Sequence, residues 1–488
     1  LEIRRVETAS SPTGPTGWGF FPRTALRFVF LYMLLYSFPL LLGFPANVAS
    51  SVAKLVAQDK PAPDSWFSEA LAYVSYPEKW YKRGMEEFTP WLCRTVLGVD
   101  VDPPSRLTGS GDGLFQYCLC FAYLVLAAAA WMFWTLASES WRRWKTHRPP
   151  DYDRLQSLFR LVVGFHLMYM MLIYGAAKVW CSQFPPISDA QLEATYGDSS
   201  PMGLLWRFMQ FSQPYTVATG IVEFSCGLLL INRRTTLLGA LCAGGVSFQV
   251  FLLNMCYDVP VKLLSAHLLL MALLLIAPDA RRLLAFFVLG RPSRPMQDAP
   301  LFGRWRWLNT AGFVLRTAVY LGFASLTLYQ SYRSAKTEGI LAPTRPADGR
   351  WITTSFARAG KEVALPTTQD ENPPKKFMLS KWEGGPGVPA VFQILVTPRG
   401  VSLVFEDGSR ARFRNGSRED SELMLVSFED GARVALLRAS FPEPEVMVLE
   451  GLVGGEEVRI ALRKPRVTKD YLLKQRGFRW VQEAPYNK

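Results

Sequence analysis

LFRLVVGFHLMYMMLIYGAAKVW (158–180) and TLLGALCAGGVSFQVFLLNMCY (236–257) are the stretches that decide the fold. Each is an apolar run of about 20 residues, the length a helix needs to cross a ~30 Å hydrocarbon core. Five further runs share that character: 25–44, 114–136, 215–231, 261–277 and 308–328. The expectation is a polytopic α-helical membrane protein of about seven transmembrane helices, followed by a C-terminal all-β antiparallel domain. Residues 1–22 are polar and rich in Gly and Pro, and the run Ala25–Phe44 reads as a retained start-transfer helix, too long for the apolar core of a cleaved signal.

Charge gives the orientation. The chain carries 54 Lys and Arg against 41 Asp and Glu, a formal net charge of +13. Many of the basic residues sit in short connections, in 141–154, 232–234 and 279–306, and these fall on one side of a seven-span arrangement. Basic connections mark the cytoplasmic side. The N-terminus, 1–24, is then cytoplasmic and the C-terminus lies outside, in the periplasm or extracellular space. A nucleic-acid role is excluded, because that would need a basic stripe on a soluble fold.

Within the helical region, 25–332, two outer-side segments are expected, 45–113 and 181–214. The first contains helical stretches around 65–97. The second ends in MGLLWRFMQF, too short to span and suited to an interfacial or re-entrant helix. Residues 333–390 read as a linker and the start of the outer domain, with a long Pro-, Lys- and Gly-rich loop over 366–390. The β-domain proper is 391–488. There VFQILVT, VSLVF, ELMLVSF, RVALL, VMVLEGL and EVRIAL are short β-rich runs, punctuated by the hairpin dipeptides Asp407-Gly408, Asp430-Gly431 and Gly454-Gly455. A meander of six to eight strands, closed as a small barrel or sandwich, follows.

Ionisable groups inside a membrane are costly, so those present are functional candidates. Lys178, Glu223, Asn254, Asp258, Lys262 and His267 gather towards the outer leaflet; at ~1.5 Å rise per residue, Glu223 and His267 lie roughly 10 Å below the outer surface. Lys178, Glu223 and His267 are the candidate headgroup or proton site for a quinone, with Lys178, Asn254 and His267 as binding residues, since His and Glu exchange protons with a reduced carbonyl. The plainer alternative is that these groups tie helices together or reach outwards to the interface. His166 lies deeper and reads as a packed bundle histidine. With three histidines in all, His147 in a basic loop, and no HExxH or paired-Cys motif, no metal site is expected. Of seven cysteines, Cys93 and Cys181 fall in outer segments and invite a bridge. Cys118 and Cys120 point to faces about 200° apart. In LTGSGDG (107–113), Asp112 is expected to cap the second span.

YGAAKVW (174–180), QFPP (183–186), YGDSSPMGLLW (196–206), NRRTT (232–236) and NMCYDVPVKLLSAHLLLMALLLIAPD (254–279) together resemble the DoxX-like family of bacterial membrane proteins. LGVD…LTGSGDG (97–113) and RGFRWVQEAPYN (476–487) resemble its longer members, which append an extracytoplasmic domain. The resemblance implies a bacterial inner-membrane protein linked to quinone or thiol redox systems. The core is also similar to the membrane domain of vitamin K-dependent carboxylases, where a lysine after an aromatic and Gly stretch serves quinone chemistry; Lys178 is the matching position. The leading expectation is a quinone-associated redox component in contact with lipid, its β-domain docking a protein partner. The rivals are a non-catalytic scaffold of an envelope complex and a small-solute transporter. The residues do not decide whether the chain is an enzyme.

Overall fold

A computed structural model describes residues 19–56, 65–103, 110–145, 152–187, 189–192, 196–197, 199–292, 305–363, 378–379, 389–397, 400–405, 409–416, 419, 421–427, 433–453 and 455–465. His147, the larger part of the 366–390 loop, Asp407-Gly408, Asp430-Gly431, Gly454 and the 476–487 motif lie outside the described residues. The chain divides into two units: residues 1–177 with 218–330, and 178–217 with 331–488.

The helices are α1 (Phe20–Val56), α2 (Ser65–Leu97), α3 (Leu114–Lys145), α4 (Asp153–Val179), α5 (Asp189–Leu192), α6 (Pro201–Phe211), α7 (Gln213–Ile231), α8 (Thr236–Cys256) and α9 (Lys262–Ile276). α9 runs on through a 3-10 turn, α10 (Ala280–Leu283) and a π-turn to Val288; α11 (Arg306–Glu338) follows. Seven of these, α1, α3, α4, α7, α8, the extended α9 and α11, are long and apolar enough to cross a membrane, and they coincide with the seven runs of the sequence. Their large apolar side chains, among them Phe133, Leu136, Val222, Phe248, Leu273 and Leu315, stand exposed, as a lipid-facing surface requires.

α4 is the hub of the first unit. Its apolar window is 56% buried, against 17–39% for the other spans. Val163, Leu167, Met168 and Leu172 are wholly buried in one cluster with side chains of α1, α7, α8, α9 and α11. Gly175 lets α7 close on α4: a Cβ there would stand 2.5 Å from the Phe224 amide nitrogen. Small residues at such crossings let helix backbones approach where no hydrophobic force drives association.

Polar ties mark the two ends of this unit. At one, Arg23 pairs with Glu139, and buried Arg27 hydrogen-bonds Tyr152 and Thr135. There too Arg160 meets Asp279 at 2.6 Å. These contacts join the start of α1, the end of α3, the start of α4 and the end of α9, as alternating spans demand. At the other end the Gly111 N–H donates to the Pro260 carbonyl at 2.7 Å. The Asp112 carboxylate accepts the Lys262 and Leu263 amide protons at 2.7 and 3.0 Å. Asp112 therefore caps α9, the sixth span, and not the second; two connections distant in sequence meet there. α2 is one continuous helix packed across α1 and α3 through Tyr81, Met85, Phe88 and Leu92.

The second unit contains the β-domain. Its strands are β1 (Gly349–Arg358), β2 (Lys361–Val363), β3 (Met378–Leu379), β4 (Val391–Thr397), β5 (Gly400–Phe405), β6 (Ser409–Asn415), β7 (Glu422–Val426), β8 (Arg433–Glu443), β9 (Val446–Val453) and β10 (Glu456–Arg463). Eight of them form a closed antiparallel barrel, ordered β1-β4-β5-β6-β7-β8-β9-β10 and back to β1, with Phe356 opposite Ile460 in the closing pair. β2 extends β1, and β3 lies parallel to β6. The closing strand β1 comes from the 333–390 segment. Gly455 takes the left-handed turn (φ +85°) between β9 and β10 at the expected hairpin. Trp351, Phe356, Ile394, Phe405, Leu423 and Leu462 are fully buried in one cluster, so the barrel is packed through its centre. In the same unit α6 is capped by Ser200, whose Oγ accepts the Gly203 N–H at 3.0 Å.

Candidate functional site

Among the described residues of the first unit, three polar networks lie around the sequence candidates of α8 and α9. The first is the clamp at the start of α9. Lys262 Nζ pairs with Asp258 at 2.8 Å and lies 3.8 Å from Asp112. The second is Asn254, whose amide donates to Ser265 Oγ at 3.0 Å and to the Val261 carbonyl at 3.4 Å, fastening α8 to the first turn of α9. Both networks hold helices in place.

The third network is a column of flat rings. Tyr32 and Tyr36 are one helical turn apart on α1 and share a face. The Tyr36 ring lies on the His267 imidazole with centroids 4.0 Å apart and planes 2° from parallel. His166 of α4 also stacks on Tyr36, at 5.5 Å and 19°. Tyr36 thus bridges two imidazoles carried by different spans. Tyr123 of α3 packs edge-on against Tyr36 at 6.4 Å. His166, read from the sequence as a deeper, packed histidine, is one ring away from His267.

Hydrogen bonding fixes the proton positions. His267 Nδ1 lies 2.7 Å from the Leu263 carbonyl, which can only accept, so Nδ1 carries the proton. Nε2 of the neutral ring is then an acceptor, and the Tyr32 hydroxyl donates to it at 2.8 Å. The Cys120 thiol is a neighbour of the Tyr32 hydroxyl. Tyr32 O–H and His267 form a directed pair ending on a backbone carbonyl, with Cys120 beside the Tyr32 hydroxyl. His166 shares a 2.9 Å hydrogen bond with Ser37 through Nδ1, while its Nε2 is buried without a polar partner.

The sequence candidates are distributed unevenly around this column. His267 is part of it. Glu223, 4% exposed on α7, lies within electrostatic reach of Tyr174, which is within reach of Tyr36. With both ring nitrogens committed, His267 offers no hydrogen bond to Glu223. Lys178 is buried in the last turn of α4 and belongs to the second unit, where its carbonyl accepts the Cys181 N–H at 2.9 Å. The bridge imagined between Cys93 and Cys181 is not formed: all seven cysteines are free, and Cys93 lies instead against Cys118. Cys118 and Cys120 do face apart, one to Cys93 and the other to Tyr32. Sequence reasoning missed Tyr32, Tyr36, Ser37 and Cys120. The usable signal was the four-residue spacing of the two tyrosines within an apolar run.

No protein-family model and no solved structure matches the chain. Among curated proteins it is similar to the uncharacterized protein YwoB of Bacillus subtilis (strain 168), with 31% identity over 133 residues, 27% of this chain and 82% of that protein. That coverage is enough to place it: the chain belongs to the family of YwoB.

Proposed function

We propose that this chain is a DoxX-like inner-membrane protein acting as a quinone-associated redox component, with the ring column as the headgroup site. The observation that carries the proposal is the buried, unpartnered Nε2 of His166 at the end of a stack of flat rings inside a membrane bundle. A buried polar atom without a partner is costly and invites a ligand atom. The 4.0 Å packing of Tyr36 on His267 leaves no gap for a third ring between them, so a headgroup meets the column at His166.

A bound quinone supplies two-electron, two-proton redox chemistry. This chain's residues hold the protons. Tyr32 holds its proton on a hydrogen bond to His267 Nε2, and the Leu263 carbonyl fixes the imidazole tautomer through Nδ1–H. Cys120 stands beside the same hydroxyl. Glu223, through Tyr174, places an acid near the same column and retains its role as a proton group. Lys178 stays in the proposal as the position matching the carboxylase-type lysine, and Asn254 as a supporting residue of α8 and α9.

In this proposal the basic connections are cytoplasmic, and the barrel therefore lies in the periplasm or extracellular space. A packed barrel holds no ligand inside, which favours a protein partner on its outer surface. The test is the quinone content of protein purified from native membranes, by mass spectrometry of extracted lipids. The expected result is bound quinone in wild type, lost at least about tenfold in His166→Ala and in Glu223→Gln/His267→Ala. Equal quinone in all three would refute it. For the barrel, deletion of 340–488 should release a co-purifying protein while insertion persists; a truncated chain that keeps every partner speaks against docking.

A further inference from the structure

The end of α2 and the first turn of α3 enclose a second site of chemistry. Cys93 and Cys118 are buried together with Val101 and Phe115 in one small cluster, Cys93 fully and Cys118 to 5% exposure. The two side chains pack in the same cluster across the seam of α2 and α3, the neighbourhood that a ~2.05 Å disulfide requires. Backbone contacts fix both ends. The Val99 N–H bonds the Cys93 carbonyl at 3.3 Å, and the loop before α3 is tied to α9 through Gly111 and Asp112. The two sulfurs are not free to drift apart.

We infer that Cys93 and Cys118 are joined by a disulfide in the mature protein, a covalent link between α2 and α3 that the remaining five cysteines do not share. It rests on the placement of 45–113 outside the membrane, where compartments are oxidising. The bond forms by thiol–disulfide exchange with a disulfide-bearing thiol oxidant. One cysteine thiolate attacks the oxidant's disulfide, and the other then displaces the oxidant's second sulfur. Two S–H groups become one S–S bond, and the oxidant leaves as its dithiol with both protons. Burial sets the timing. In the folded reduced chain, burial and the neighbouring Cys118 thiol push the Cys93 thiol up to about 11, so little thiolate exists at neutral pH. Exchange therefore precedes the packing of α2 on α3, and the finished bond is shielded from reductants until the protein unfolds.

The experiment uses full-length protein from native membranes, denatured in N-ethylmaleimide without reductant, then digested and mapped by mass spectrometry. The expected result is a linked Cys93–Cys118 peptide pair with under a tenth of either cysteine alkylated. In Cys118→Ser, alkylation of Cys93 should rise roughly tenfold while the protein remains inserted. Alkylation of both cysteines in most wild-type molecules, or a link from Cys93 to Cys181, would overturn the assignment. A parallel Leu452→Cys variant, at an exposed barrel position, reports orientation through a membrane-impermeant maleimide. Labelling from outside with Cys93 and Cys118 alkylated removes the disulfide and leaves the orientation standing. Labelling only from the cytosol removes both.

Discussion

Tyr36 is the residue on which the candidate site turns, because it alone touches both imidazoles face to face among the described rings. Tyr36→Ala should open a cavity between His166 and His267 and cost about 3–5 kcal/mol, the range for deleting a buried aromatic. Tyr36→Phe keeps the ring and should stay within about 1 kcal/mol of wild type. Denaturant titration in detergent checks both; equal losses would mean that the hydroxyl and not the stack matters. Tyr32→Phe removes the donor to His267 Nε2 and leaves that nitrogen buried and unsatisfied, at a cost of about 1–3 kcal/mol by the same measurement. His267 and Glu223 were legible in the sequence because an ionisable group in an apolar run stands out. Tyr32 and Tyr36 were not, since a tyrosine in a membrane helix is ordinary until a neighbour from another span is seen across it. His166 is the packed histidine that the sequence suggested, and what depth along one helix could not show is the ring that α1 inserts beside it.

At the scale of elements, all seven spans could be read because the bilayer dictates their length. The same rule does not reach beyond the bilayer, which is why α1, α3 and α11 run further than the apolar windows alone imply. Six of the barrel strands announced themselves as β-rich runs. β1, GRWITTSFAR, hides in a polar, turn-rich stretch and is identified only by its pairing with β4 and β10. The Asp112 cap was assigned to the wrong helix because local sequence favours the nearest N-terminus, whereas the free amide protons that the carboxylate meets belong to α9. Asp112→Ala should therefore cost about 0.5–2 kcal/mol and loosen α9, not α3. Hydrogen exchange should rise at Lys262 and Leu263; protection lost at 114–117 instead would restore the other assignment. Gly175→Val places a branched side chain where even a Cβ stands 2.5 Å from the Phe224 backbone. It should separate α4 from α7 and destabilise by about 1–3 kcal/mol or more, measured by thermal unfolding.

At the scale of the whole molecule, a helical membrane part and a packed eight-stranded barrel are two solutions to one constraint, the pairing of every backbone polar group. The helices satisfy theirs internally, and the barrel leaves no open edge along its closed circuit. We propose that the ring column of α1, α4 and α9 receives a quinone headgroup. A photoreactive quinone analogue, cross-linked in native membranes and mapped by peptide mass spectrometry, tests it most directly. The expected result is labelling of peptides containing Tyr36, His166 or His267, competed away by excess unmodified quinone and absent in His166→Ala. Labelling confined to other helices, or insensitive to competition, would contradict it.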